Sequence, residues 1–332
     1  MFRALVLPPK GSSLGSRPGP KRSYHVDNHR RPSPHGQLLN PACWSIAACG
    51  AIYFGCAAWE VYQDAKRAKA KDPSWTSQCR HKAFEQLERL RENMGSTNPD
   101  FHQASSEYVS ERPEFGGLAR PRVLTVSIMG LTAYISSASR SKPALERYVI
   151  HFPASSRNYT LLTTLFGSGS RHHLGVKLVG IWWLMPKAGN SLTFRESNPH
   201  LTAFYLTAGI LSSFAQHTAS LSLSSARRVT AVIGASGAML ALFGIVCVSY
   251  PQSRLEFFTP PHSVSIAVIM AIVALYSAVG IVFPHPRFRF AHASHLFGLG
   301  FGVMYARRRG DKTVWRPARR AAFIGMQSLR VL

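Results

Sequence analysis

The sequence contains few acidic residues and few cysteines. Its 332 residues include 15 Asp and Glu against 39 Lys and Arg, which gives a formal net charge of +24. A charge of this sign and size is found in proteins that bind nucleic acid, contact an anionic membrane or carry an organellar import signal. The 5 cysteines include no Cys-x-x-Cys pair, so neither a zinc site nor a disulfide framework is predicted. We interpret them as small residues of apolar helices, and an oxidised pair on the outer face of the membrane is the alternative.

The first forty residues contain one acid, Asp27, and lack the apolar run of a secretory signal. They are rich in Ser, Gly and Pro, and their basic residues are Arg3, Lys10, Arg17, Lys21, Arg22, Arg30 and Arg31. A segment rich in Arg and Ser and poor in acid is typical of a mitochondrial transit peptide. We therefore predict a transit peptide over residues 1–40. A disordered basic segment that binds phosphate or lipid headgroups is the alternative.

Apolar runs recur along the rest of the chain, and most are slightly shorter than the ~20 residues that a helix needs to cross a bilayer. They comprise residues 41–59, 123–138, 173–185, 201–214, 229–250, 264–283 and 290–306. Thr, Ser, His or Lys interrupt several of them, and polar groups inside a membrane helix are tolerated where they face other helices or a water-filled cavity. The pattern predicts an all-α membrane protein in which one helix precedes a group of six.

The composition divides the chain into five parts. They are the transit peptide at 1–40, an extra transmembrane helix at 41–62, a soluble charged spacer at 63–120, a six-helix core at 121–306 and a basic C-terminal tail at 307–332. In the spacer, Phe84, Leu87 and Leu90 recur at helical spacing among charged residues. This spacing predicts an amphipathic or solvated helix outside the membrane.

Polar groups occur near the beginning of the second, fourth and sixth runs of the predicted core. The segment "RHHLGVK" contains His173 and Lys177, "GASG" contains Ser236, and "AHASHLFGLGFG" contains His292 and His295. Because consecutive membrane helices alternate in direction, these three runs enter from the same face. We therefore expect the three polar groups to lie at a similar depth.

The combination of a serine with a histidine on neighbouring helices is the chemistry of a serine protease. A serine hydroxyl is a weak nucleophile, and a histidine within hydrogen-bond reach can accept its proton. A helix that begins near Ser236 would present free backbone N–H groups to the oxyanion of a tetrahedral intermediate. Gly234 and Gly237 allow the backbone to bend and a substrate strand to approach closely.

The segment after His295 contains Gly298 and Gly302 in a Gly-x-x-x-Gly pattern. Small residues at this spacing let two membrane helices approach closely, as an interhelical bond between serine and histidine requires. Taken one at a time, Ser236 and His295 are more simply explained as packing residues. Their combination, on helices predicted to run in the same direction, favours catalysis.

At these residues the sequence resembles the rhomboid family of intramembrane serine proteases. "GASGAMLALFG" resembles the serine helix of that family, and "AHASHLFGLGFGVMYA" resembles its histidine helix. "HASHL", "YLTAGILSSF" and "YPQSRLEFF" are similar to segments of the mitochondrial, presenilin-associated rhomboid-like branch. The resemblance covers residues 148–306 and implies a rhomboid-like six-helix core with one extra N-terminal transmembrane helix. It also implies that no metal or organic cofactor is needed.

The resemblance assigns roles to particular residues. It implies that Ser236 is the nucleophile and that His295 is the general base, in a dyad without a third acid. It implies that His173 is the first member of a His-x-x-x-Asn pair that stabilises the oxyanion. The asparagine position holds Lys177, whose ammonium can donate strongly although burial opposes its charge. In the histidine helix, Phe297 replaces a glycine of the branch.

We therefore predict an intramembrane serine endopeptidase of the mitochondrial inner membrane that cleaves transmembrane segments of single-pass proteins. One alternative is a catalytically impaired rhomboid-like protein that binds membrane helices. A second is a membrane carrier or channel, for which the sequence contains no repeat. Nucleic acid is not an expected partner.

The side to which the active site opens depends on the first helix. An amino terminus in the matrix places the active site on the matrix face, in agreement with the basic loop before "RHHLGVK". Seven spans then place the basic tail on the opposite side, although its charge favours the matrix. Two explanations are open: one span is miscounted, or the tail binds anionic lipid such as cardiolipin on the outer side.

Overall fold

The computed structural model describes residues 34–71, 84–89, 120–153, 157–222, 234, 236–256, 263–283 and 291–331. The helices are α1 (Pro34–Lys71), α2 (residues 84–89), α3 (Arg120–Ser141), α4 (Pro143–Val149), α5 (Thr160–Thr163), α6 (Arg171–Gly189), α7 (Asn198–Ser222), α8 (Ser236–Ser249), α9 (Ile266–Val282), α10 (His292–Arg307) and α11 (Arg316–Ser328). Short 3₁₀ and π turns occupy Thr164–Phe166 and Asp311–Trp315. The predicted all-α class is thus confirmed as a predominantly helical fold.

Each predicted apolar run corresponds to one helix, with differences at the ends. Residues 229–233, 235 and 290 lie outside the described residues. A two-stranded antiparallel pair, β1 (Arg254–Glu256) and β2 (Ser263–Ser265), precedes α9 and was not predicted. The helix α9 starts only at Ile266, because the Ser265 side chain caps it by accepting the N–H of Ala267 at 3.3 Å.

Helices α8 and α10 form the centre of the core and run in the same direction. A Cβ placed on Gly298 would lie 2.1 Å from the carbonyl oxygen of Gly237, and one on Gly302 would lie 2.0 Å from that of Ala241. The two helices therefore touch backbone to backbone at successive turns, which only glycine at these positions permits.

Helices α6 and α7 pack on this pair from either side. Helix α6 runs in the direction of α8, because its early residues lie near Gly234 while the carbonyl of Lys187 near its end accepts from the Tyr250 hydroxyl at 3.2 Å. Helix α7 runs the opposite way, since Phe204 near its beginning packs against Tyr305 at the end of α10 with ring centroids 4.9 Å apart. The first turns of α6, α8 and α10 thus meet at one end of the bundle.

The surface of the bundle is strongly apolar. Helix α9 is apolar on all sides, yet only Ile266 and Ser277 are buried, and Leu275 is 66% exposed. A helix of this kind exposes apolar surface that water does not favour. By length and composition, Gln37–Ala70 is the one helix among the described residues that could cross a membrane, and Ser236–Ser249 and Ile266–Val282 are shorter apolar helices.

The first helix extends beyond the predicted 41–62 segment, and the C-terminal tail folds back onto it. Arg319 of α11 is fully buried and forms salt bridges with Glu60 and Asp64 of α1 and with Glu88 of α2. Trp315 donates to Glu60 at 3.0 Å. Burial opposes the guanidinium charge, but the three carboxylates hold the pKa of Arg319 above its ordinary value.

The predicted amphipathic helix in the spacer is present as α2. Phe84 and Leu87 are buried and belong to one cluster with Val61 and Phe323, whereas Leu90 lies outside the described residues. The helix therefore docks on α1 and α11, and its apolar face is not exposed to solvent.

Candidate active site

Ser236 and His295 are brought into direct contact by α8 and α10. Nε2 of His295 lies 2.8 Å from Oγ of Ser236. The two residues are 59 positions apart in the chain, and the glycine-mediated approach of the two helices closes this distance. Since Oγ–H can donate to an imidazole nitrogen that carries no proton, the arrangement suits proton transfer from the hydroxyl to the ring.

Ser236 is the first residue of α8. The backbone N–H groups in the first turn of a helix have no acceptor within the helix, and they carry the positive end of the helix dipole. The start of α8 is therefore suited to stabilising negative charge that develops next to the hydroxyl.

The backbone before α8 makes a turn that depends on glycine. Gly234 has a φ of +123°, a conformation that other residues rarely adopt. Its N–H donates to the carbonyl of Thr164 at 3.1 Å. A Cβ on this residue would lie 3.0 Å from the ring of His173, so both the conformation and the space favour glycine.

His173 and Lys177 lie one turn apart on α6 and face the same corner. The Ser170 side chain caps α6 by accepting the N–H of His173 at 3.1 Å. Nζ of Lys177 lies 3.7 Å from the position of a Cβ on Gly234, and the side chain is 1% exposed. The Lys177 amine donates to the carbonyl of Gly167, which satisfies one of its N–H groups in this buried position.

Gly237 has a packing role in the structure. A Cβ at this position would lie 2.4 Å from Cβ of Ser212 on α7 and 2.4 Å from Oγ of Ser294 on α10. The sequence predicted that Gly237 lets a substrate strand approach closely, but neighbouring helices occupy the space beside this residue. Gly298 and Gly302 hold α8 and α10 together, as the sequence analysis expected of them.

The two histidines of α10 have different surroundings. His292 packs against α9, where a Cβ on Gly280 would lie 2.4 Å from its ring and the Tyr276 ring lies 5.3 Å away. Its ring centroid is 6.4 Å from that of His295. The structure therefore brings His295, and not His292, to the serine.

Phe297 lies on the outer side of α10. It is 41% exposed, and its ring stacks on Phe301 with centroids 6.2 Å apart. The bulk that replaces the expected glycine thus stays outside the contact between α8 and α10.

One polar contact at the start of α10 was not predicted from the sequence. Oε1 of Gln216, on α7, accepts the N–H groups of Ala293 and Ser294 at 3.1 and 3.3 Å. A glutamine just after the apolar run 201–214 was a signal that something polar lies there, but the sequence did not identify the partner.

The chain is similar in sequence to known proteins over much of its length. Residues 155–311 match the Rhomboid domain family. The chain is 23% identical over 292 residues to the mitochondrial presenilin-associated rhomboid-like protein of Bos taurus. The aligned region covers 86% of this chain and 70% of the relative. It is 27% identical over 293 residues to presenilin-associated rhomboid-like protein A of Danio rerio, covering 85% and 73%. For the Homo sapiens protein the identity is 28% over 181 residues, covering 52% and 45%.

Proposed function

We propose that this chain, in which residues 155–311 match the Rhomboid domain family, is an intramembrane serine endopeptidase that acts through Ser236 and His295. The observation that carries this proposal is the 2.8 Å contact between Oγ and Nε2 at the beginning of α8. The substrates are transmembrane segments of single-pass proteins, which must unwind locally to expose a peptide bond to the serine.

The reaction follows the logic of acyl transfer. As Oγ of Ser236 attacks the scissile carbonyl carbon, Nε2 of His295 takes the hydroxyl proton. The tetrahedral intermediate collapses when the imidazolium returns that proton to the leaving amine, and an acyl-enzyme remains. Water, deprotonated by the same nitrogen, then hydrolyses the ester and frees the serine.

The oxyanion requires donors, and two sources lie at the same corner. The N–H groups of the first turn of α8 are one source, and the side chains of His173 and Lys177 on α6 are the other. Lys177 is engaged with the Gly167 carbonyl, so it must release that acceptor or share its three N–H groups to reach the oxyanion.

The proposed location is the mitochondrial inner membrane, with α1 and the six core helices α3 and α6–α10 spanning the bilayer. The exposed apolar surface of α9 supports insertion in lipid. The relatives are mitochondrial by name. In this arrangement the first turns of α6, α8 and α10 lie toward one face, which admits the hydrolytic water.

The observation on Lys177 favours a second candidate function. Lys177 stands where the family has an oxyanion donor, but it is bound to a backbone carbonyl. This arrangement is compatible with a rhomboid-like protein that binds membrane helices without cutting them. The intact contact between Ser236 and His295 favours the protease.

Reconstitution with a single-pass substrate separates the two functions. We expect the parent protein to cut the substrate and Ser236→Ala and His295→Ala to abolish cutting, with losses on the order of 10³-fold or more. Ser249→Ala, at the far end of α8, is the matched serine control and retains activity. Cleavage that survives both dyad substitutions overturns the dyad, and binding without cleavage by the parent supports the second function.

A further inference from the structure

We propose that Gln216 is a positioning residue that fixes His295 against Ser236 by capping the histidine helix from α7. This inference rests on the proposed function, because it assigns a residue to the same site. It starts from the hydrogen bonds of the first turn of α10.

Helix α10 has no cap of its own. Its N-cap residue, Ala291, has no side-chain acceptor and makes no side-chain cap bond. Ser, Thr, Asp and Asn are the preferred residues at this position, because their side chains accept the N–H of the second or third residue of the first turn. Here those residues are Ala293 and Ser294, and both N–H groups point to Oε1 of Gln216. A residue 77 positions earlier in the chain thus supplies the missing acceptor.

The position of the cap matters because His295 follows at once. Ser294, which binds Gln216 through its backbone, also places its Oγ in the space beside Gly237 on α8. Ser212, one turn before Gln216 on α7, fills the other side of the same glycine. Three helices therefore meet next to Ser236, and Gln216 is the polar contact that fixes the register of α10 within this junction.

The amide group of Gln216 is itself held in orientation. Its Nε2 donates to Oγ of Ser220 at 3.4 Å, which leaves Oε1 turned toward α10. Without this acceptor, two N–H groups at the start of α10 would lack a partner and the first turn would fray. Displacement of a catalytic group by about 1 Å can cost on the order of 10²-fold in rate, so fraying here lowers catalysis before it unfolds the protein.

The test compares Gln216→Met, which keeps the side-chain length and removes the acceptor, with Gln216→Glu, which keeps an acceptor. Thr218→Val is the matched control, since the Thr218 hydroxyl bonds only the carbonyl of Ala215 on its own helix among the described contacts. The first readout is hydrogen exchange of the peptide that covers residues 291–297. The second is activity, measured as the rate of Ser236 labelling by a fluorophosphonate and as kcat and KM for a single-pass substrate.

We expect Gln216→Met to speed exchange in the first turn of α10 and to lower kcat and labelling by about tenfold or more, with KM changed less than about twofold. Gln216→Glu restores slow exchange, and its carboxylate favours protonated His295, so the acid limb of the pH–rate profile moves to higher pH. A purely structural role would change folding yield without this pH shift.

If hydrogen exchange in residues 291–297 of Gln216→Met is as slow as in the parent protein, the capping role is overturned, whether or not the parent cleaves substrate. Faster exchange with parental kcat and labelling overturns the positioning role. An equal loss in Thr218→Val, or no rescue by Gln216→Glu, overturns it as well. A parent protein that neither cleaves nor reacts with the probe contradicts the proposed function, while the exchange experiment still decides the cap.

Discussion

The missing side chain of Gly298 lets α10 rest directly on the backbone of Gly237. A Cβ on Gly298 would lie 2.1 Å from the Gly237 carbonyl oxygen, a distance at which the helices must separate. The residue is one turn beyond His295 and touches the residue next to Ser236. Packing and chemistry therefore depend on the same contact.

We predict that Gly298→Ala separates Ser236 from His295. Overpacking of a tight core costs about 1–3 kcal/mol, and the displaced base lowers cleavage on the order of 10²-fold. The measurements are unfolding in mixed micelles and initial cleavage rates. Gly300→Ala on the same helix is the control, because a Cβ there meets nothing within 4 Å. Equal effects of the two substitutions would contradict the prediction.

Lys177 offers a direct test of the oxyanion assignment. We predict that Lys177→Met, which keeps the length and removes the donors, lowers kcat by about tenfold or more, because one donor to the oxyanion is lost. Lys177→Asn replaces it with an amide donor of shorter reach. Faster cleavage by Lys177→Asn would identify the lysine as a handicap, and slower cleavage would show that it has taken over the donor role. Parental activity in Lys177→Met would remove Lys177 from the mechanism.

Arg319 is predicted to be required for docking of the C-terminal helix. Arg319→Leu leaves the carboxylates of Glu60, Asp64 and Glu88 buried without their guanidinium, which costs about 3–5 kcal/mol when one partner of a buried ion pair is removed. Faster proteolysis after residue 307 and a lower unfolding midpoint are the readouts. Arg320→Leu serves as the control, because Arg320 is exposed; a similar loss there would rule out the role of the buried ion cluster.

His151 is predicted to make stability depend on pH. It lies between the proposed membrane helices α3 and α6, with Nδ1 2.7 Å from the Thr160 hydroxyl and Nε2 2.9 Å from Nδ1 of His217. Burial, with a smaller contribution from His217, lowers the pKa of His151 to about 3. In the unfolded chain the pKa is about 6.5, so below that pH the unfolded state binds more protons.

This difference stabilises the fold fully above pH ~6.5 and is lost as the pH falls from there toward 3, by about 1.4 kcal/mol per pH unit. We expect the free energy of unfolding to drop between pH 7.5 and 5, and His151→Gln to flatten that slope. His172→Gln, at an exposed position, is the control for the effect of the histidine-to-glutamine substitution itself. A slope that is the same with and without His151 would refute the prediction.

Several features followed from the sequence because they depend on local pattern and chain direction. The apolar runs predicted the helices, and their alternation predicted that Ser236 and His295 begin helices of the same direction. Gly298 and Gly302 predicted a close helix contact from their spacing. The helix α1 continues past the predicted transmembrane segment 41–62 to Lys71, and Arg319 of α11 supplies a partner for Asp64 in this extension.

By itself, the sequence determined the helical class, the order of the helices and the residue types that can carry out acyl transfer. The helices follow from the pattern of apolar residues, and the chemistry follows from the side chains of serine and histidine. Tertiary structure alone decided that Phe297 points outward and that Gln216 caps α10. These outcomes depend on the rotation of one helix about its axis relative to another. A rotation of this kind is set by packing across the whole bundle and leaves no mark in the spacing of any single segment.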